Sequence, residues 1–232
     1  MLLHGWSIDH RIWDGLRAGL HDRVELLTPD LPGHGGTPVE LGDRPLTEYH
    51  ALAVAAFASW CHDHDVADVP MAGWAWGSHV VVDAVAAGRV APSSVALISP
   101  TGPFQTPALA AAIERDWPRL ACRLVGRMTA EPLPEDTANW IVALMTASSL
   151  VAVTGVQSTP WRPPPAGFRL PEGSVALAGE QDVLAPPDAA LPLLDAWGVT
   201  ITVLEGAGHL PFLEVPDAFQ GWLLDWLARV SA

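Results

Sequence analysis

At 232 residues, half of them hydrophobic, the chain is long enough to bury one sizeable core in a single main domain. Its 12 arginines face 26 acidic residues, and a net charge of −14 excludes a nucleic-acid partner, whose phosphates need a basic footprint. Proline and glycine interrupt the apolar residues before any run reaches about 18, so no transmembrane helix is expected and no membrane partner. The start, Met1-Leu-Leu-His-Gly, lacks a basic segment and a small-residue cleavage site, which points to a cytoplasmic address.

Short apolar runs alternate with longer amphipathic stretches, the pattern of an α/β fold with a parallel sheet. In chain order, strands are expected at 1–4, 24–29, 69–72, 95–99, 175–178 and 201–204. Helices are expected at 46–62, 77–87, 187–197 and 218–230. Residues 102–165 break the alternation with helical patterns and end on Trp161-Arg-Pro-Pro-Pro165, so they read as a helical cap inserted into a core of 1–101 and 166–232. Cys61 and Cys122 lie in no CxxC pattern and read as buried small apolar residues. Trp13, Trp60, Trp222 and Trp226 fall on amphipathic patterns and read as core.

Five motifs carry the chemistry. His4-Gly5-Trp6 ends the first expected strand, and Asp30-Leu-Pro-Gly-His-Gly35 forms a glycine-rich loop. Gly73-Trp74-Ala75-Trp76-Gly77 lies between a strand and a helix, Gly179-Glu-Gln-Asp182 follows a strand, and Gly206-Ala-Gly-His209-Leu210-Pro211 follows the last one. Together, in this order, they resemble the α/β-hydrolase family across nearly the whole chain. The start, the elbow and the short cap are most similar to small carboxylesterases of the pimeloyl-carrier-protein methyl ester esterase type.

The resemblance implies a nucleophile at position 75, an orienting acid at Asp182 and a general base at His209. It implies oxyanion-hole N–H groups at Trp6 and Trp76, and substrate contacts at His4, Gly5, Trp74 and Leu210. It implies no cofactor, and the histidines show no HxH or HExxH metal spacing with carboxylates. His62-Asp63-His64 reads as a solvated helix end. The family has a β-hairpin before the HG strand and this sequence opens on that strand, so either the sheet lacks its first two strands or the chain start differs from that of relatives.

The departure is Ala75, where the family has serine. Two readings stay open: a serine enzyme whose nucleophile was replaced, and a natural pseudo-hydrolase that binds ligand or uses His209 alone as the base of an isomerase. Ser78 sits one helical turn later, roughly 300° around, and should miss the pocket. With serine at 75, the site would transfer an acyl group from an ester or thioester to water, or from a carrier-protein thioester to another acceptor. Arg115, Arg119, Arg123 and Arg127 recur every four residues in the cap. They read either as a solvated face paired with Glu114 and Asp116 or, as the resemblance implies, as a dock for an acyl carrier protein.

Overall fold

The computed structural model describes residues 1–101, 107–159 and 161–230. Five parallel strands form one sheet in the order β1 (Leu2–Leu3), β2 (Met71–Trp74), β3 (Val95–Ile98), β4 (Val175–Gly179) and β5 (Thr200–Leu204). Leu3 pairs with Gly73, Gly73 with Leu97, Leu97 with Ala176 and Ala176 with Ile201, so the strand ends line up along one edge. In an open parallel sheet that carboxyl edge is where ligands are met.

Side-chain alternation divides the core into two layers. Leu2, Trp74, Ile98 and Leu177 point to one face, which is covered by helices α1 (Asp14–Leu20) and α8 (Pro216–Val230) through Leu16, Phe219 and Trp226. Leu3, Met71, Leu97 and Ala176 point to the other, covered by α2 (Tyr49–Asp63), α3 (Trp76–Ala86) and α7 (Pro187–Trp197). Each fully buried Leu or Ile contributes about 1.5–3 kcal/mol, so the alternation fixes the strand register.

Three more helices, α4 (Pro107–Val125), α5 (Glu135–Ala147) and α6 (Leu150–Ser158), lie within the stretch expected to form a cap. The expected start of that cap, Gly102, lies outside the described residues. Non-helical backbone at Asp116 (φ −163°, ψ 76°) divides α4, and the Arg119 N–H donates to the Asp116 carboxylate at 3.3 Å, so Pro118 stands in the first turn of the second half. Among the described residues no single helix is long and apolar enough to cross a membrane.

Several expectations need correction. Residues 24–29 form no strand: the Leu2 N–H donates to the Leu27 carbonyl at 2.8 Å, but no continuous ladder follows. An apolar run becomes a strand only where both partners offer a register, and here the segment flanks a two-residue strand beside a cleft of about 580 Å³. β2 begins two residues later than expected and so includes Gly73 and Trp74. The expectation for 46–62 resolves into a 3-10 turn, Leu46–Glu48, followed by α2. The helical turns of His10–Trp13 and α1 were not anticipated. Cys61 is buried, whereas Cys122 is exposed, because it falls on the outer face of α4. Trp13 and Trp226 are core; Trp60 and Trp222 are only partly buried.

Two fully buried histidines make folding sensitive to acid. Burial pushes His34 and His79 from an ordinary value of 6.5 down to about 3, so the folded protein keeps both neutral. Below 6.5 the unfolded chain binds protons that the native state refuses, so stability is level above 6.5 and falls as the pH drops toward 3. Each histidine should remove about 1.4 kcal/mol per pH unit in that window. Urea denaturation stepped through the window should show the fall, and His34→Gln should make it shallower. A slope unchanged by His34→Gln would remove His34 from the account.

Candidate active site

The elbow starts from a steric demand. A Cβ at Gly73 would come within 2.5 Å of the Gly77 backbone, and one at Gly77 within 2.4 Å of the His4 carbonyl oxygen. Glycine at 73 permits the approach of β2 to α3 and glycine at 77 that of α3 to the end of β1, and between them Ala75 is held at φ 49°, ψ −114°. A non-glycine residue at positive φ costs about 1–3 kcal/mol and persists only where its surroundings impose it.

Ala75 opens onto a cavity of about 180 Å³ at the carboxyl edge of the sheet. Trp6, Trp74 and Trp76 wall the core side, joined by His209. Leu109, Leu124 and Met128 close it from the cap, with Val156 and Leu184 beside them. Among the described residues, Thr101 and Gln157 join His209 as polar side chains and no arginine lines the space.

Asp182 is buried at the end of β4, where its Oδ1 accepts the N–H groups of Leu184 (2.9 Å) and Ala185 (2.8 Å). Its Oδ2 lies 2.8 Å from His209 Nδ1. A carboxylate only accepts, so Nδ1 carries the proton and the Nε2 lone pair is left for the cavity side. The Trp74 indole N–H donates to the His209 carbonyl at 2.9 Å, and the His209 N–H donates to the Met128 carbonyl at 2.6 Å, so the loop is tied to core and cap together.

Neither the Trp6 nor the Trp76 backbone N–H has a protein acceptor among the described residues. Trp76 opens α3, where the first N–H groups have no intrahelical partner and the helix dipole is positive. The Trp6 indole N–H donates to the Val153 carbonyl at 2.9 Å, which fastens that loop to α6. Both residues line the cavity with Ala75.

The structure therefore gathers Ala75, His209, Trp6, Trp74 and Trp76 around one cavity, with Asp182 bonded to His209 but outside the lining. It leaves His4, Gly5 and Leu210 out of the lining. His4 is fully buried, bonded to the Gly5 carbonyl (2.8 Å) and accepting the Leu31 N–H at Nε2 (3.0 Å), so it braces the glycine-rich loop. Gly5 faces the Trp74 ring at contact distance, and Leu210 is packed in the core. The Ser78 hydroxyl donates to the Gly73 carbonyl at 2.6 Å, away from the lining.

The arginine row also changes character. Arg115 precedes the Asp116 break and Arg127 follows the end of α4, so only Arg119 and Arg123 share one continuous helix. All four are exposed, and among the described residues no ion pair joins them to Glu114 or Asp116. Arg115, Arg119 and Arg123 line one shallow groove. The one group of described residues whose ligand atoms converge, Asp9, His10 and Asp30, is already bonded internally: Arg11 lies 2.6 Å from Asp9, and His10 Nδ1 lies 2.8 Å from Asp30.

Sequence reasoning missed Glu214. Its carboxylate accepts the N–H groups of Ala130 (2.6 Å), Gly208 (3.0 Å) and Leu210 (3.0 Å), which pins the His209 loop to the cap. Its place five residues after His209 was the available signal. Glu214→Ala should destabilise the fold by about 3 kcal/mol, because three backbone donors lose their acceptor at once. Thermal unfolding checks the loss, and a change under about 0.5 kcal/mol, typical of a surface site, would contradict it.

A profile described as the alpha/beta hydrolase family matches residues 1–220. The pimeloyl-[acyl-carrier protein] methyl ester esterase of Methylococcus capsulatus is 30% identical over 240 residues, covering 92% of this chain and 88% of that protein. The esterase of the same name from Aeromonas hydrophila is 25% identical, over 94% of this chain and 91% of its own. Among solved structures, an esterase from Thermogutta terrifontis superposes with a TM-score of 0.81 at 21% identity, over 100% of this chain and 89% of that one. One from Exiguobacterium antarcticum gives 0.84 at 16%, over 100% and 91%. Matched along nearly its whole length and sharing its fold with esterases, this chain belongs to the alpha/beta hydrolase family.

Proposed function

We propose that the cavity is built for serine-type acyl transfer on an ester or thioester, and that this chain, with alanine at position 75, chiefly binds such a substrate. The observation that carries the reading is the 2.8 Å bond from His209 to Asp182 beside two unpartnered N–H donors. A serine at 75 would attack the carbonyl carbon and pass its proton to His209 Nε2. The oxyanion would be held by the Trp6 and Trp76 N–H groups, and His209 would return the proton to the leaving group. Water, activated by the same histidine, would then release the acyl group.

The apolar lining and the absence of a cation favour a neutral acyl group over one ending in a carboxylate. The carrier-protein esters named for the relatives fit an exposed arginine groove on a chain of net charge −14, since an acidic carrier would be drawn to a basic patch there. A cavity so poor in polar groups also supports the second reading, transfer to an amine, alcohol or thiol acceptor, because water is disfavoured there.

Ala75→Ser should restore activity by about 10⁶ on p-nitrophenyl esters, the scale on which such a nucleophile matters, and mass spectrometry should find an acyl adduct on Ser at 75. Absence of both adduct and turnover would end the acyl-transfer reading; an adduct released only by an added amine or thiol would favour transfer over hydrolysis. In that background, Arg119→Glu with Arg123→Glu should lower turnover of an acyl-carrier thioester and spare p-nitrophenyl esters. Equal losses on both substrates would count against docking.

A further inference from the structure

With alanine at position 75 the site lacks a nucleophile, yet the parts that handle a proton and a negative oxygen are built and braced. The elbow keeps its positive-φ turn although it has no hydroxyl to present. What the turn still achieves is the placing of the Trp76 N–H at the head of α3.

That donor residue is held by a second Asp–His pair. The Trp76 indole N–H donates to His50 Nδ1 at 3.0 Å, which requires the His50 proton to sit on Nε2, and Nε2 lies 2.7 Å from Asp83 Oδ2. Asp83 Oδ2 also accepts the Trp161 indole N–H at 3.0 Å. The Trp76 ring is further enclosed by Tyr49, stacked at 5.9 Å. The sequence gives no motif for this relay, which joins α2, α3 and the cap exit behind the oxyanion side of the cavity.

We infer that the cavity, as it stands with Ala75, abstracts a proton from the carbon next to the carbonyl of a neutral, flat, apolar ketone or aldehyde. His209 Nε2 takes the proton. The C–H electron pair becomes the C=C bond while the carbonyl π pair moves to oxygen, and the Trp6 and Trp76 N–H groups hold the enolate. The imidazolium then returns a proton to the same carbon, or to the far end of the double bond in a conjugated substrate. No atom is gained or lost and no co-reactant enters. The apolar lining, without an arginine among the described residues, selects the substrate class. The inference rests on the same oxyanion and base geometry as the acyl-transfer reading but requires neither an ester nor a serine.

The test is deuterium incorporation at the α-carbon of phenylacetone in buffered D₂O, followed by proton NMR with the Ala75 protein. Exchange should be saturable and faster than with His209→Gln by about 10²–10⁴-fold, the contribution of a positioned base, while the other eight histidines remain as an internal control. Asp182→Asn, nearly isosteric, should slow it as well, which guards against a His209 variant that fails to fold. His50→Ala should slow exchange and His50→Gln, able to accept from the indole and donate to Asp83, should recover it. Exchange no faster than in His209→Gln and Asp182→Asn would overturn the inference. Acylation of Ala75→Ser without such exchange in the Ala75 protein would leave acyl transfer standing and this inference refuted; exchange without acylation would do the reverse.

Discussion

β2 and α3 meet through Gly73 and Gly77 at a separation that admits no Cβ, and the site is laid out from that contact. Because the strand cannot continue into the helix without a turn, the residue between them takes a left-handed, strained conformation and lies over the cavity. The same turn leaves the Trp76 N–H at the head of α3, where geometry and dipole agree. Alanine accepts this conformation no more readily than serine would. The strain is therefore imposed by the packing of strand on helix and does not depend on the nucleophile's chemistry.

A second contact ties His209 to the same frame. The Trp74 side chain, one residue before the elbow, donates to the His209 carbonyl, while Glu214 gathers the flanking N–H groups and Asp182 fixes the ring. His209 and the Trp76 N–H are therefore both positioned from β2. Two of the ties, from His209 to the Met128 carbonyl and from Ala130 to Glu214, cross into the cap. Residues between α4 and α5 thus hold the His209 loop, while α4 itself lines the cavity.

The alternation of short apolar runs with amphipathic stretches was enough to read the parallel sheet, because each strand buried on both faces leaves that signature. The segment 24–29 misled for the same reason: it is apolar, but strand formation depends on a partner's length, which a local pattern does not contain. Ala75, Asp182 and His209 were legible because the turns that hold them require glycines at fixed offsets. His50, Asp83 and Glu214 were not. Each is a single polar residue whose partner lies elsewhere in the chain, and a lone His or Asp in a helical pattern reads as solvated surface. The break in α4 was half legible, since Pro118 marked a helix start but the capping role of Asp116 needed coordinates.

Charge and apolarity are separated by the cap helix itself. Leu124 points into the cavity, while the adjacent Arg123 lies in the outer groove with Arg119. Successive residues on a helix are turned by about 100°, so one short segment can present an apolar wall inward and a cationic strip outward. An unpaired arginine within the cavity would carry a large desolvation cost and would bind carboxylates; outside it is solvated and meets partners approaching an otherwise acidic surface. The reacting end of a substrate and the body that carries it would thus be recognised by opposite faces of one helix. A change in α4 that shifted its register would move both at once, whereas a change of side chain on one face would alter one recognition and leave the other.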